Sequence, residues 1–244
     1  GVLTAVTRHR ARPASLDARR QRLSQRVVEQ LSVSPLGAAV IPALVTGDRR
    51  GLTPPLWRLF RDLGTAHLLA ISGLHLTLVT GLLWGLGRWL LGPLWWLLCP
   101  PARRLSLQQW AWAPALAGAL GYAALAGFAL PTQRALIMVA VLAVCRLRRV
   151  RPAAPAVLGL ALLAVLLIQP LAALSAGLWL SFTAVAVILL LIDGTRWPVM
   201  VSLPLLMAVL SAWLFDTWAW LSPLANVLLV PLFSVLVVPA ALLG

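Results

Sequence analysis

The chain has 244 residues, of which 61% are hydrophobic and only 11% are charged, and its mean hydropathy is +0.93. Soluble domains are about 45–50% apolar and about 25% charged, so this composition excludes an ordinary soluble core and predicts an all-α, polytopic membrane bundle. The net charge of +14 comes entirely from arginine, which reflects either GC-rich codon usage or a polyanionic partner whose phosphates the guanidinium groups bind.

The N-terminal segment, residues 1–31, is basic and amphipathic. Apolar residues recur in it at roughly helical spacing, with Arg and Gln on the other faces: Leu16, Leu23, Val27 and Leu31. This pattern predicts an amphipathic helix lying on a membrane surface. A solvated, charged linker is the alternative.

The rest of the chain, residues 32–244, is predicted to be one transmembrane domain. Residues 32–46 are apolar but short and interrupted by proline and glycine, which is typical of an interfacial or re-entrant segment. Seven longer apolar runs follow, at 65–91, 107–127, 129–146, 154–169, 171–192, 198–215 and 223–243. They predict about seven transmembrane helices, and the tight turns before the third and fifth runs predict antiparallel hairpins.

The distribution of arginine between the runs predicts the orientation of the chain. The connectors at 92–106 and 147–153 are basic and are separated by an even number of runs, so both are expected in the cytoplasm. Provided that 32–46 does not span, the connector at 47–64 then lies outside, together with the basic surface formed by Arg49, Arg50, Arg58 and Arg61. An external excess of arginine is unusual, and an incoming polyanion would explain it.

The first long run carries the densest set of polar residues. At about 100° per residue, Thr65, His67, Ser72 and His75 fall within one arc of about 160°, which predicts a polar face. Polar groups at membrane depth are candidates for function, although neutral histidines bonded to a neighbouring helix are the simpler alternative. A second face of the same run carries a small residue at every fourth position, which predicts that another helix packs closely against it. These residues are Gly73, Thr77, Gly81 and Gly85.

Polar residues also occur at the start of the third run and in the last run. Pro131 suits the beginning of a helix, which places Thr132, Gln133 and Arg134 in its first turns, and Asn226 lies one turn into the last run. A positive charge near a helix N-terminus is unfavourable unless an anion compensates it, so Arg134 predicts a nearby anion. Snorkelling of its side chain to the lipid headgroups is the alternative. No His/Asp cluster has metal-ligand spacing, so neither a metal nor another cofactor is expected.

Several segments resemble, in the same order, the competence domain of the ComEC family of bacterial DNA-internalisation proteins. The hallmark is HLLAISGLHLTL at 67–78, and three later stretches are similar: GFALPTQRALIM at 127–138, GLWLSFTAV at 177–185 and SPLANVLLVPL at 222–232. The resemblance implies a multi-pass channel domain in the bacterial inner membrane that passes single-stranded DNA during natural transformation. An external DNA receptor and a cytoplasmic ATPase or single-strand-binding protein are the partners it implies.

The resemblance also implies neighbouring domains that are not within these 244 residues. Residues 1–31 are similar to a linker that follows an external OB-fold domain, and the apolar run at Gly244 breaks off as if truncated. Any nuclease activity would belong to a metallo-β-lactamase-like domain, so no enzymatic activity is expected here. The alternatives are a small-solute transporter and an intramembrane hydrolase that uses Ser72 with His67 or His75.

Overall fold

A computed structural model describes residues 37, 39–40, 42–43, 50–62, 65, 73–98, 106–194, 199–215, 229 and 232. In this part of the chain all regular secondary structure is helical, as predicted. The helices are α1 (Pro54–Asp62), α2 (Gly73–Leu86), α3 (Gly92–Leu98), α4 (Leu107–Leu125), α5 (Leu130–Leu147), α6 (Ala154–Ile168), α7 (Ala176–Gly194) and α8 (Val199–Phe215).

Helices α2 and α3 are joined by a π-helical turn, Gly87–Leu91, so that helical backbone continues from Gly73 to Leu98. The predicted polar arc of the first run is wrong at its N-terminal end, because Thr65 is not helical. Its backbone N–H and its hydroxyl both donate to the carbonyl oxygen of Phe60, at 2.8 and 3.3 Å. Thr65 therefore satisfies a carbonyl of α1 that has no partner within that helix.

The predicted hairpin between the second and third runs is formed by α4 and α5. Helix α4 ends in a Schellman motif: Gly127 has a φ of 62°, and the N–H of Phe128 donates to the carbonyl of Ala123 at 2.7 Å. At the other end of the hairpin, Nε2 of Gln109 donates to the carbonyl of Leu147 at 2.9 Å. The start of α4 thus lies beside the end of α5, and the two helices are antiparallel.

The core consists of two clusters that meet on α5. Helix α2 packs most extensively on α4 and also on α5, and alanine dominates this first cluster, which lets the helix backbones approach closely. Trp84 and Trp112 join α2 to α4 with ring centroids 6.4 Å apart. The second cluster connects α5, α6 and α7 and includes the buried Val165, Leu178 and Phe182. Helix α7 in turn packs against α8.

Within the described residues, two helices are long and apolar enough to cross a membrane, Gly73–Leu94 and Leu130–Leu147. Ala154–Ile168 and Ala176–Leu191 are apolar but shorter. Six of the seven predicted runs contain a helix of similar extent. The last run and the amphipathic segment 1–31 lie outside the described residues, apart from Leu229 and Leu232, which are helical.

Candidate anion-binding site

The first described turn of α2 and the N-terminal turns of α5 and α7 meet at one end of the bundle. A Cβ atom on Gly73, the first described residue of α2, would lie 3.1 Å from Cβ of Ala135 and 3.7 Å from the carbonyl oxygen of Pro131. A Cβ on Gly177 in α7 would lie 3.5 Å from both terminal nitrogens of Arg134. The guanidinium group of Arg134 therefore extends from α5 across the first turn of α7.

Arg134 is only 8% exposed, and its Nε has no hydrogen-bond partner among the described residues. No Asp or Glu occurs between Asp62 and Asp193 in the sequence, so no carboxylate from the helices that surround Arg134 is available to neutralise it. Helix N-termini carry partial positive charge, which adds to the charge of the guanidinium. The site thus collects positive charge without a compensating anion from α2, α4, α5, α6 or most of α7.

Two further predicted residues are buried on the same helices. Thr132 is 0% exposed, and its hydroxyl has no hydrogen-bond partner among the described residues. His75, in α2, is 3% exposed. Thr132 and His75 therefore add buried polar side chains near Arg134.

Gln133 connects two turns of the chain through its side-chain amide. Its Nε2 donates to the carbonyl of Phe128 at 2.6 Å, and its Oε1 accepts from Nε2 of Gln169 at 2.5 Å. Phe128 has a φ of 49°, which is unusual for a residue other than glycine. The chain Gln169–Gln133–Phe128 therefore fixes the α4–α5 turn against the turn before α7, beside Arg134.

The other predicted site residues lie either outside the described residues or in and just before α1. His67, Ser72, Asn226 and Arg49 lie outside the described residues. Arg50 and Arg58 are exposed, Arg58 on α1, and Arg61 also belongs to α1. The roles that the sequence suggests for these residues, including the external basic surface, stay predictions.

The glycine stripe of α2 is only partly in contact with the described chain. Gly73 makes the close approach to α5, whereas a Cβ on Gly81 or Gly85 would have no neighbour within 4 Å. Thr77 is exposed, and its hydroxyl donates to the carbonyl of Leu74 at 2.8 Å. A role of Gly81 and Gly85 in packing against another helix stays a prediction.

The structure adds two residues to this site that the sequence did not single out as functional. Gln169 belonged only to the tight turn before the fifth run, and Gly177 only to the stretch at 177–185 that resembles the ComEC family. An isolated amide between an apolar run and a proline is a signal that could have identified Gln169. Gly177 gave no such signal, because its importance comes from the guanidinium group packed on it.

The described residues contain no group of three His, Cys, Asp or Glu side chains that could hold a metal ion. What the arrangement can do is attract an anion and donate hydrogen bonds to it. Arginine binds phosphate through several N–H groups, and helix N-termini offer further N–H donors. Phosphate is therefore the ligand chemistry that fits this end of the bundle.

Comparison with known proteins gives one family. Residues 44–244 match the sequence profile of the family described as Competence protein. Three curated proteins are similar over most of the chain. Competence protein ComA of Neisseria gonorrhoeae is 41% identical over 85% of this chain and 30% of its own length. The uncharacterized protein YcaI of Escherichia coli is 31% identical over 84% of this chain and 28% of its own length, and recombination protein 2 of Haemophilus influenzae is 29% identical over 94% of this chain and 30% of its own length.

The chain thus spans less than a third of the length of these relatives. No solved structure matches it. The family match covers the four stretches in which the sequence resembles ComEC proteins, and it extends over more than three quarters of the chain. The resemblance is confirmed at the level of the family: this chain belongs to the Competence protein family.

Proposed function

We propose that this chain is a multi-pass domain of the bacterial inner membrane that passes single-stranded DNA into the cell during natural transformation. Arg134, Thr132 and His75 lie along the route, and the N-termini of α5 and α7, beside the first described turn of α2, form a phosphate-attracting constriction. The observation that carries the proposal is the buried guanidinium group of Arg134, which packs on Gly177 without a carboxylate partner among the described residues.

The charge of the chain supports a DNA backbone as the passing group. A cleft lined by one sign of charge raises the local concentration of a ligand of the opposite sign, and the stretch from Asp62 to Asp193 holds eight arginines and no acidic residue in between. Polar groups such as Thr132 and Gln133 would replace part of the water around a phosphate. The names of two relatives, competence protein ComA and recombination protein 2, agree with a role in DNA uptake.

The two alternative functions have less support. A small-solute transporter would require a substrate-sized polar pocket at a broken helix, whereas the π turn of α2 lies against Pro114 and Ala111 of α4. An intramembrane hydrolase would require Ser72 to react with an active-site serine probe, and the hallmark segment has no Gly-x-Ser-Gly pattern around this residue.

The test is uptake of labelled DNA in a transformable strain that lacks its own copy of the gene. Arg134→Gln removes the buried charge, and we expect at least a tenfold loss of transformants because one charge-assisted contact contributes about 1.5–3 kcal/mol. Thr132→Val keeps the volume and removes a hydroxyl without a described partner. It should therefore leave the protein at least as stable while DNA entry falls.

Arg148→Gln is the matched control, because Arg148 is exposed near the opposite end of α5 and carries the same charge. Protein levels in the membrane fraction are measured for all variants. Normal entry of DNA in both Arg134→Gln and Thr132→Val, at wild-type protein levels, would remove these residues from the route.

A further inference from the structure

A basic pocket lies at the end of the bundle opposite Arg134. It has a volume of about 380 Å³ and is formed by the start of α4 and the segment that follows α5. Three arginines contribute to its lining, Arg146, Arg149 and Arg151, together with Ser106 and Gln109. The pocket therefore combines three positive charges with the N-terminus of a 19-residue helix, which favours an anion.

The floor of this pocket is fixed by the side chain of Gln109. Its Oε1 accepts hydrogen bonds from the backbone N–H and the hydroxyl of Ser106, at 3.0 and 3.2 Å, which completes a capping box. Its Nε2 donates to the carbonyl of Leu147 at 2.9 Å. Gln109 is 8% exposed, so a buried amide holds the start of α4 and the end of α5 together.

Arg149 occupies a backbone conformation that glycine would adopt more easily. Helix α5 ends in a Schellman motif, in which the N–H of Arg149 donates to the carbonyl of Arg146 at 3.1 Å and the N–H of Val150 to that of Cys145 at 2.9 Å. Arg149 has a φ of 60°, the left-handed position where glycine is usual. An arginine there costs about 1 kcal/mol relative to glycine, which suggests that its side chain is needed.

An apolar wall adjoins the charged pocket. Val150 lines the pocket and is 53% exposed, and Leu147, whose carbonyl accepts from the pocket residue Gln109, is 38% exposed. A phosphate ligand that binds here thus meets both positive charge and exposed apolar surface. Nucleic acid would use only the first of these features, whereas an amphiphile would use both.

We propose that this pocket binds the phosphate headgroup of an anionic phospholipid, with the acyl chains lying along Leu147 and Val150. The inference rests on the membrane location proposed above. Helix α5 has 18 residues and is therefore about 27 Å long, so a pocket at its C-terminal end lies at headgroup depth if α5 spans the bilayer. Basic pockets between transmembrane helices on the cytoplasmic side are suited to such lipids.

The proposal is tested by native mass spectrometry of the full-length protein, purified in an uncharged detergent and titrated with phosphatidylglycerol or phosphatidylcholine. We expect the wild type to prefer phosphatidylglycerol. Arg149→Gly should lower its affinity for this lipid about fivefold, the effect of one basic contact near a membrane surface. The melting temperature should stay the same or rise, because glycine adopts a positive φ without strain.

Arg148→Gln is the matched control, since Arg148 precedes Arg149 but does not line the pocket. It removes one charge from the same segment and should change lipid affinity less than twofold. Two soluble competitors separate the possible ligands: glycerol 3-phosphate, which has the headgroup phosphate but no acyl chains, and a short single-stranded oligonucleotide. Glycerol 3-phosphate should displace phosphatidylglycerol only weakly.

Three results would overturn the inference: no preference of the wild type for phosphatidylglycerol, wild-type binding by Arg149→Gly, or loss of oligonucleotide binding instead of lipid binding in that variant. The last result would make the pocket part of the DNA route. The failure of the lipid site and the failure of the DNA route can be told apart. If lipid binding does not depend on Arg149 while Arg134→Gln still blocks DNA entry, only the lipid site fails. The reverse combination, with normal DNA entry in both Arg134→Gln and Thr132→Val, would remove these residues from the DNA route and keep the lipid site.

Discussion

Gln133 is the residue that links the α4–α5 turn to the turn before α7. Gln133→Leu leaves two polar groups without this partner, the carbonyl of Phe128 and the side-chain amide of Gln169. A buried group left unsatisfied costs about 1–3 kcal/mol, and because these two groups are only partly buried, each should cost toward the lower end of that range. We therefore expect a clear fall in the melting temperature of the detergent-purified protein, together with a loss of DNA uptake, because Arg134 follows Gln133 directly.

Gln108→Leu serves as the control for this prediction, because Gln108 is an exposed glutamine at the start of α4. A double variant, Gln133→Leu with Gln169→Leu, measures the coupling between the two amides. Residues that share a hydrogen bond are non-additive, so the double variant should be less destabilised than the sum of the single ones. Strict additivity would show that the two amides act independently.

At the residue scale, local signals predicted the position of the site but not its contacts. Pro131 marked the start of α5, and this alone placed Thr132, Gln133 and Arg134 in its first turns, as observed. The link between Gln133 and Gln169 was not predictable, because it joins residues 36 positions apart and depends on how α5 packs against the end of α6. Thr65 was wrongly predicted to be helical, because the helical period of the first run was extended back to residue 65, where the backbone is not helical.

At the element scale, the contact between α2 and α4 depends on glycine at the π turn. A Cβ on Gly87 would lie 2.8 Å from Cγ of Pro114 and 3.1 Å from Cα of Ala111. Neither atom can move without a shift of α4, since one belongs to a rigid ring and the other to the backbone. Gly87→Ala should destabilise the protein by about 1–3 kcal/mol, as overpacking does, measured by thermal unfolding in detergent.

Gly85→Ala is the matched control on the same helix, because a Cβ at Gly85 has no neighbour within 4 Å among the described residues. Alanine is a better helix former than glycine by up to about 1 kcal/mol, so this variant should be neutral or slightly stabilised. Equal destabilisation by both substitutions would mean that a further helix covers Gly85, as the four-residue stripe of the sequence predicted.

The helices themselves were easier to predict than their contact faces. Long apolar runs indicate helices in a membrane-like composition, and the observed bounds follow the runs closely. The stripe at four-residue steps identified one small-residue face of α2, yet the described close approaches to α4 occur at Gly87 and Gly118, the latter against Leu83. A period shows which residues share a face, whereas the position of the neighbouring helix decides which face is covered.

At the scale of the whole molecule, α5 separates two positively charged ends. Arg134 lies near its start, and the pocket with Arg146 and Arg149 lies at its end. With a length of about 27 Å, α5 matches the hydrocarbon thickness of about 30 Å. If α5 spans the bilayer as proposed, its two ends face opposite sides of the membrane, and the loop rich in arginine is expected on the cytoplasmic side.

This orientation predicts which positions a membrane-impermeant maleimide can reach in intact cells. In a variant without Cys99 and Cys145, Ser175→Cys places a thiol in the exposed turn before α7, at the Arg134 end, and Arg148→Cys places one in the arginine loop. Ser175→Cys should be labelled in intact spheroplasts, whereas Arg148→Cys should be labelled only after permeabilisation. The reverse pattern would put Arg134 at the cytoplasmic mouth, where it could not meet incoming DNA first. Labelling of both positions in intact spheroplasts would contradict α5 as a membrane-spanning helix, because its two ends must then lie on opposite sides of the bilayer.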